Sequence, residues 1–206
     1  MTITLQALTF ARALRNAALF AAREGHIPAL NCVRLAADGV TLTFDATDRY
    51  KLLRQTVDLR EEVPAVEAHL ALTEAKALAQ AIGIAMRSHH KQVRGDIQVE
   101  ATVEDGHLRV QVGTQRLAHP LADLRGTQFP QVGRLFTAFD PCSDVVGVSS
   151  EHLSAFADVK LGADDRHGRV VWRLSPHGRK PLRWVAEHGE TRHRLDALLV
   201  PFRLEA

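Results

Sequence analysis

The run Ala46-Thr47-Asp48-Arg49-Tyr50-Lys51-Leu52 decides how this chain is read. It stands between two strand-like runs, Val40 to Ala46 and Tyr50 to Leu59, in which Val, Leu, Thr and Phe alternate with polar residues. A tight two-residue hairpin would place Asn-Gly or Asp-Gly at the junction. The corner instead carries a charge pair, an aromatic ring and a leucine, so a task beyond turning the chain is expected of it. A second apolar run, Leu198-Leu199-Val200-Pro201-Phe202, is the expected neighbour.

Working outward, the same unit recurs. A strand at Thr2 to Leu5 precedes a helix at about Leu8 to Arg23, with Phe10, Leu14, Ala17 and Ala21 as its apolar stripe. Strands follow at Asn31 to Ala36, Val40 to Ala46 and Tyr50 to Leu59, with Asp38-Gly39 as a hairpin turn. After Pro64 the order restarts: a strand at Val66 to Leu72, then a helix to about Ser88 with Thr73 as its expected N-cap. Strands at Ile97 to Val103, Leu108 to Gly113 and Gln115 to Ala122 turn at Glu104-Asp105-Gly106. A linker, Arg125 to Ser143, carries Gly126, Pro130, Gly133 and Pro141. The third copy has a strand at Asp144 to Val148 and a helix from Glu151 to about Lys160 capped by Ser150. Its strands are Arg169 to Leu174, Leu182 to Ala186 and Arg192 to Leu204. A period of ~65 residues is too long for a solenoid and fits an α+β fold of strand-helix-strand-strand-strand units. The expected division is 1–128, a linker 129–143, and a half-sized part 144–206.

Composition excludes several classes. The chain has 206 residues, 46% of them hydrophobic, and a formal net charge of +2. A packed core is therefore expected, and any basic surface must be local. Cys32 and Cys142 form no CxxC pair, which excludes a zinc site or disulfide framework and fits a reducing cytoplasm. No run approaches ~18 apolar residues, so neither a signal peptide nor a membrane span is expected. No Gly-rich phosphate loop, HExxH, GxSxG or paired carboxylates occur, and the eleven histidines fall mainly in turns and strand ends. No enzyme, metal or cofactor is expected.

On the first helix Arg12, Arg15 and Arg23 oppose the apolar stripe. On the second, Lys76 and Arg87 repeat the eleven-residue spacing of Arg12 and Arg23, and Lys91 extends the basic character. Either a solvated face or a phosphate-facing surface produces this pattern; its recurrence in two copies favours phosphate.

These motifs resemble the bacterial β sliding clamp, the DNA polymerase III processivity factor. The resemblance lies in Ile27-Pro28-Ala29-Leu30-Asn31, in Val40 to Leu52, in Phe129-Pro130-Gln131-Val132-Gly133-Arg134-Leu135, and in Leu198 to Leu204. It covers a clamp's middle domain plus the second half of its last, with no counterpart for the remainder. It implies a DNA-clamp-like fold with helices on one side of antiparallel sheets. It also implies a peptide-binding pocket at Leu30, Thr47, Arg49, Tyr50, Lys51, Leu52, Pro130, Leu135, Leu198, Val200 and Pro201, with Thr47, Arg49 and Lys51 as rim donors. Arg12, Arg15, Arg23, Lys76, Arg87 and Lys91 would face double-stranded DNA. Implied partners are DNA polymerase, other proteins with clamp-binding motifs, a clamp loader, and further copies of the chain in a ring of about three or four. A binding module that forms no ring is the alternative.

Overall fold

The computed structural model describes residues 2–23, 27–87, 96–136, 148–160, 173–175, 181–188 and 193–201. In order these form β1 (Thr2–Gln6), α1 (Ala7–Ala18), β2 (Cys32–Thr47), β3 (Lys51–Ala71), α2 (Leu72–Arg87), β4 (Gln98–Glu104), β5 (His107–Val112), β6 (Gln115–Pro120), α3 (Ser150–Ala157), β7 (Arg173–Ser175), β8 (Leu182–His188) and β9 (His193–Leu199). Two antiparallel sheets result, in the orders β1-β4-β5-β6 and β2-β3-β9-β8-β7.

β2 is long because it doubles back. A straight strand rising about 3.3 Å per residue would separate Arg34 from Asp45 by roughly 36 Å. Instead Arg34 Nη1 donates to Asp45 Oδ2 at 2.8 Å and Thr43 Oγ1 donates to Ala36 O at 3.2 Å. The reversal falls at Asp38-Gly39, as expected, with Gly39 at φ 58° in the left-handed region that suits glycine. β3 pairs Leu52–Asp58 with the second arm of β2 and Val66–Ala71 with the first. It therefore wraps round the hairpin tip, so the two strands expected before and after Pro64 belong to one extended run. Arg60, Glu61, Glu62 and Pro64 are exposed on that bend, where a proline forfeits no sheet hydrogen bond.

One hydrophobic core joins the inward faces of both sheets to the helices. Phe10 of α1 meets Phe44 edge-on at 5.5 Å, and Phe156 of α3 meets Phe20 at 5.0 Å. α1 is buried more completely than one stripe allows: Ala7, Phe10, Ala11, Ala13, Leu14, Asn16, Ala17 and Ala18 are all covered. The helix ends at Ala18 because Leu19 and Phe20 already donate to Asn16 O and Ala17 O in a tighter turn. Arg23 therefore lies beyond it.

Three smaller expectations are corrected. α2 starts at Leu72, which makes Thr73 its second residue and not its cap. Ser150 opens α3, and Ser149 holds the cap position. The linker contains a 3₁₀ helix, Val132–Phe136, anchored by Val132. Residues 144–147 of the expected strand, His89 to Gly95, the Ser175-Pro176-His177-Gly178 turn beyond Ser175, and Phe202 to Leu204 lie outside the described residues; Val148, which is described, is in no strand.

Candidate functional site

The corner proves to be a tight turn after all, closed by its own side chains. Asp48 Oδ1 accepts the N–H groups of Tyr50 at 3.0 Å and Lys51 at 2.9 Å, and Asp48 N–H donates to Lys51 O at 3.2 Å. Asp48 also pairs with Lys51 Nζ. Arg49 takes φ 82°, the left-handed position that glycine usually fills. An aspartate that bonds the backbone two and three residues on supplies the closure expected of Asn-Gly.

This use of side chains revises the expected roles. Thr47 is buried; its hydroxyl donates to Lys51 O at 2.9 Å and accepts from Arg49 N–H at 3.2 Å, so it braces the turn and is not a rim donor. Lys51 is held by Asp48. Leu30 sits in a short 3₁₀ turn whose carbonyl accepts Ala22 N–H at 2.9 Å, packed at the end of α1. Of the expected rim, Arg49 is exposed.

The apolar residues come together across two strands. Leu52 of β3 pairs with Leu198 of β9, and Val200 N–H donates to Tyr50 O at 2.8 Å. Leu52 and Leu198 form a second hydrophobic cluster, separate from the main core, with Val132 on top and Phe129 and Phe136 packed against it. Both leucines are only 4% exposed. The floor of the expected pocket is thus already covered by the linker, in a cluster whose side chains contribute about 1.5–3 kcal/mol each on burial.

The linker crosses a row of charges on the outer sheet face. His69, Arg34, Asp45, Arg54 and Asp196 are consecutive across the strands, in register. Asp45 is fully buried between Arg34 Nη1 at 2.8 Å and Arg54 Nε at 2.8 Å. Asp196 accepts from Arg183 Nη2 at 2.7 Å and Arg194 Nε at 2.6 Å. Phe129 lies 6.0 Å from the Arg34 guanidinium, and Phe136 lies 5.8 Å from that of Arg54 and 6.0 Å from that of Arg183. Burial would lower Arg34, but its hydrogen bond to Glu67 and the charges of Asp45 and Glu67 hold it above its ordinary value. That same hydrogen bond holds Glu67 below the usual carboxylate range against burial. Burial pushes the His69 imidazole down despite Glu67.

On its other side the corner borders a groove of about 460 Å³ between the end of α1 and α3, lined among others by Arg23, Asp48, Tyr50, Lys51, Glu151 and His152. Tyr50 stacks on His152 at 5.1 Å with the rings 14° from parallel. Tyr50 and Val200, joined by the backbone bond from Val200 N–H to Tyr50 O just before β3 and just after β9, are both exposed, as is Leu135 in the linker's 3₁₀ helix.

Asn16 was not expected at this junction. It is 2% exposed, and its Nδ2 donates to Gln55 Oε1 at 2.9 Å and Lys160 O at 2.7 Å, while its Oδ1 accepts Lys160 N–H at 3.0 Å. It ties α1 to β3 and to the segment that follows α3. The available signal is an asparagine inside a helix, where propensity disfavours it.

Among the helix cations, Arg15, Lys76 and Arg87 are exposed and Arg12 is half-buried. Arg15 Nη2 donates to Ala79 O at 3.0 Å, lying across α2 where a Cβ on Gly83 would come within 2.8 Å of it. Gly83 thus leaves room for the guanidinium, at about 1 kcal/mol of helix propensity. Lys91 lies outside the described residues. Burial pushes the Cys32 thiol up to about 12, so it stays protonated. Among the described residues no cluster of His, Cys, Asp or Glu could hold a metal ion, and no helix is long and apolar enough to cross a membrane.

No protein-family model matches the chain. Solved structures do. The chain is similar to a putative DNA polymerase III beta subunit from Eubacterium rectale, at 8% identity and TM-score 0.69, over 99% of this chain and 66% of that one. It is similar to A. fulgidus PCNA bound to the C-terminal region of FEN-1, at 11% identity and TM-score 0.65, over 100% of this chain and 99% of that one. It is similar to the Pseudomonas aeruginosa sliding clamp bound to griselimycin, at 18% identity and TM-score 0.56, over 98% of this chain and 51% of that one. At these identities the likeness establishes the fold: the chain has the α+β fold of DNA sliding clamps, and it spans half to about two-thirds of the bacterial chains.

Proposed function

Starting from the sliding-clamp fold, we propose that a homo-oligomer of this chain surrounds duplex DNA and tethers a DNA polymerase, or another protein with a clamp-binding peptide, at the corner shared by β3, β9 and α3. The observation that carries this reading is the pair of exposed apolar side chains at that corner, Tyr50 at 55% and Val200 at 40%, with Tyr50 lining a groove of ligand-accepting size. The A. fulgidus PCNA that shares the fold is bound to a C-terminal region of its partner, which supports a short segment as the ligand. Arg12, Arg15, Arg23, Lys76 and Arg87 supply phosphate contacts without sequence information, as sliding requires. Among the described residues β6 and β7 are the outermost strands of their sheets on one side each and give a ring edges to close with. The division into 1–128, a linker 129–143 and 144–206, a clamp loader as helper, and a cytoplasmic setting belong to the same reading.

The test combines two titrations. A labelled clamp-binding peptide binds the wild type, and Val200→Asp abolishes binding by placing a charge on the apolar surface. Lys76→Glu with Arg87→Glu weakens retention on closed circular DNA and lowers the salt slope by about one per lost phosphate contact. Undiminished peptide affinity in Val200→Asp would sink the tethering role. A second reading is a clamp-like module that binds peptides without a ring. Under it, light scattering returns a monomer with or without DNA, and the charge reversals are silent.

A further inference from the structure

We propose that Val132 sets the depth of the peptide site, restricting it to a compact aliphatic anchor of valine or isoleucine size that lies next to an acidic residue. This rests on the peptide-binding reading above. Leu52 and Leu198, side by side on β3 and β9, are the natural floor for an apolar anchor, yet Val132 of the chain's own linker lies on them and is itself 1% exposed. The linker is clipped down on both sides of Val132. Phe129 sits over Arg34, Phe136 sits between Arg54 and Arg183, and Gly133 passes close enough to Arg54 that a Cβ would stand 3.4 Å from Nη1. These contacts make Val132 a fixed part of the floor. What remains open beside this cluster is Leu135, three residues along the linker from Val132, and Val200, two residues beyond Leu198; their exposed side chains offer shallow cover for a short branched side chain and leave a long one standing in water. The acidic preference follows from charge complementarity. Arg49 is exposed at the corner and pairs with no acid among the described residues, whereas the neighbouring Lys51 is neutralised by Asp48.

The experiment uses the full chain and four fluorescein-labelled hexapeptides, identical except for Ala, Val, Leu or Phe at the anchor, each with Asp beside it. Anisotropy titrations are run on wild type, Val132→Ala and Val132→Leu, with a thermal melt as the folding control. Wild type binds the Val peptide tightest and the Phe peptide about tenfold more weakly, the usual worth of one or two misfitted carbons. Val132→Ala deepens the floor and moves the optimum to Leu or Phe, improving those peptides about tenfold and leaving the Ala peptide unchanged. Val132→Leu raises the floor and weakens the Val peptide. A wild type that prefers Phe overturns the proposal, as does a Val132→Ala variant that scales all four affinities by one factor. Peptides that bind with a ranking indifferent to residue 132 refute only the role of Val132. Failure of all four to bind the folded wild type refutes the peptide site itself.

Discussion

Replacing Asn16 by Ala tests how the C-terminal segment is held on the rest of the chain. The substitution removes three hydrogen bonds together: those to Gln55 Oε1 and Lys160 O, and the one from Lys160 N–H. Gln55 is 2% exposed, so its oxygen loses its partner where water does not replace it. One fully buried orphan costs about 1–3 kcal/mol, and two partly buried ones add about 0.5–1 kcal/mol each. Asn16→Ala is therefore expected to cost about 3 kcal/mol, which lowers the melting temperature of a chain this long by roughly 6–12 °C. Equilibrium urea denaturation gives the free energy. Native-state hydrogen exchange gives the location, with the amides of β8 and β9 losing protection before those of α2. Gln55→Leu introduced together with Asn16→Ala removes the orphan, so the double variant is more stable than the sum of the single effects by about 1–2 kcal/mol. A cost of Asn16→Ala below about 0.5 kcal/mol, or strict additivity with Gln55→Leu, refutes the reasoning that this amide pins the junction.

Two further outcomes follow from the corner and the outer face. Arg49→Gly relieves a left-handed backbone that costs an L-residue about 1–2 kcal/mol, offset by the greater entropy of an unfolded glycine. A rise of a few tenths to 1 kcal/mol in urea-derived stability is expected, accompanied by weaker binding of the Asp-flanked peptide; unchanged or lowered stability contradicts the strain assigned to φ 82°. His69 has its pKa depressed by burial, so the unfolded chain binds its proton more readily than the folded one. Its contribution is present above the ordinary histidine value of about 6.5 and is lost as pH falls from there toward the depressed value. Glu67 and Arg34 face it, and Glu67, also depressed, adds its own loss only in the more acidic carboxylate range. Stability followed between pH 7 and 5 falls more steeply in the wild type than in His69→Leu; parallel curves contradict a buried neutral imidazole.

The sequence by itself determined the periodicity and hence the elements. Alternation over Val40 to Ala46 and Leu108 to Gly113, the helical phase of Phe10 and Leu14, and the Asp38-Gly39 reversal all reflect short-range backbone geometry, which a local run of residues encodes. The tight closure at Asp48 was also local, but its signal was hidden: an aspartate side chain can replace glycine's freedom only if the next residue accepts positive φ, and Arg49 gives no sign that it will. Tertiary structure alone decided the rest. Whether Leu52 and Leu198 are floor or core depends on Val132, eighty residues from one and sixty-six from the other, lying across them. That Arg15, exposed on α1, also reaches Ala79 O depends on Gly83 of a different helix. That Asn16 closes a junction depends on Lys160 arriving beside it. Each is a contact between segments distant in the chain, and long-range packing fills or opens a surface without leaving a mark on the local pattern that first revealed the residues.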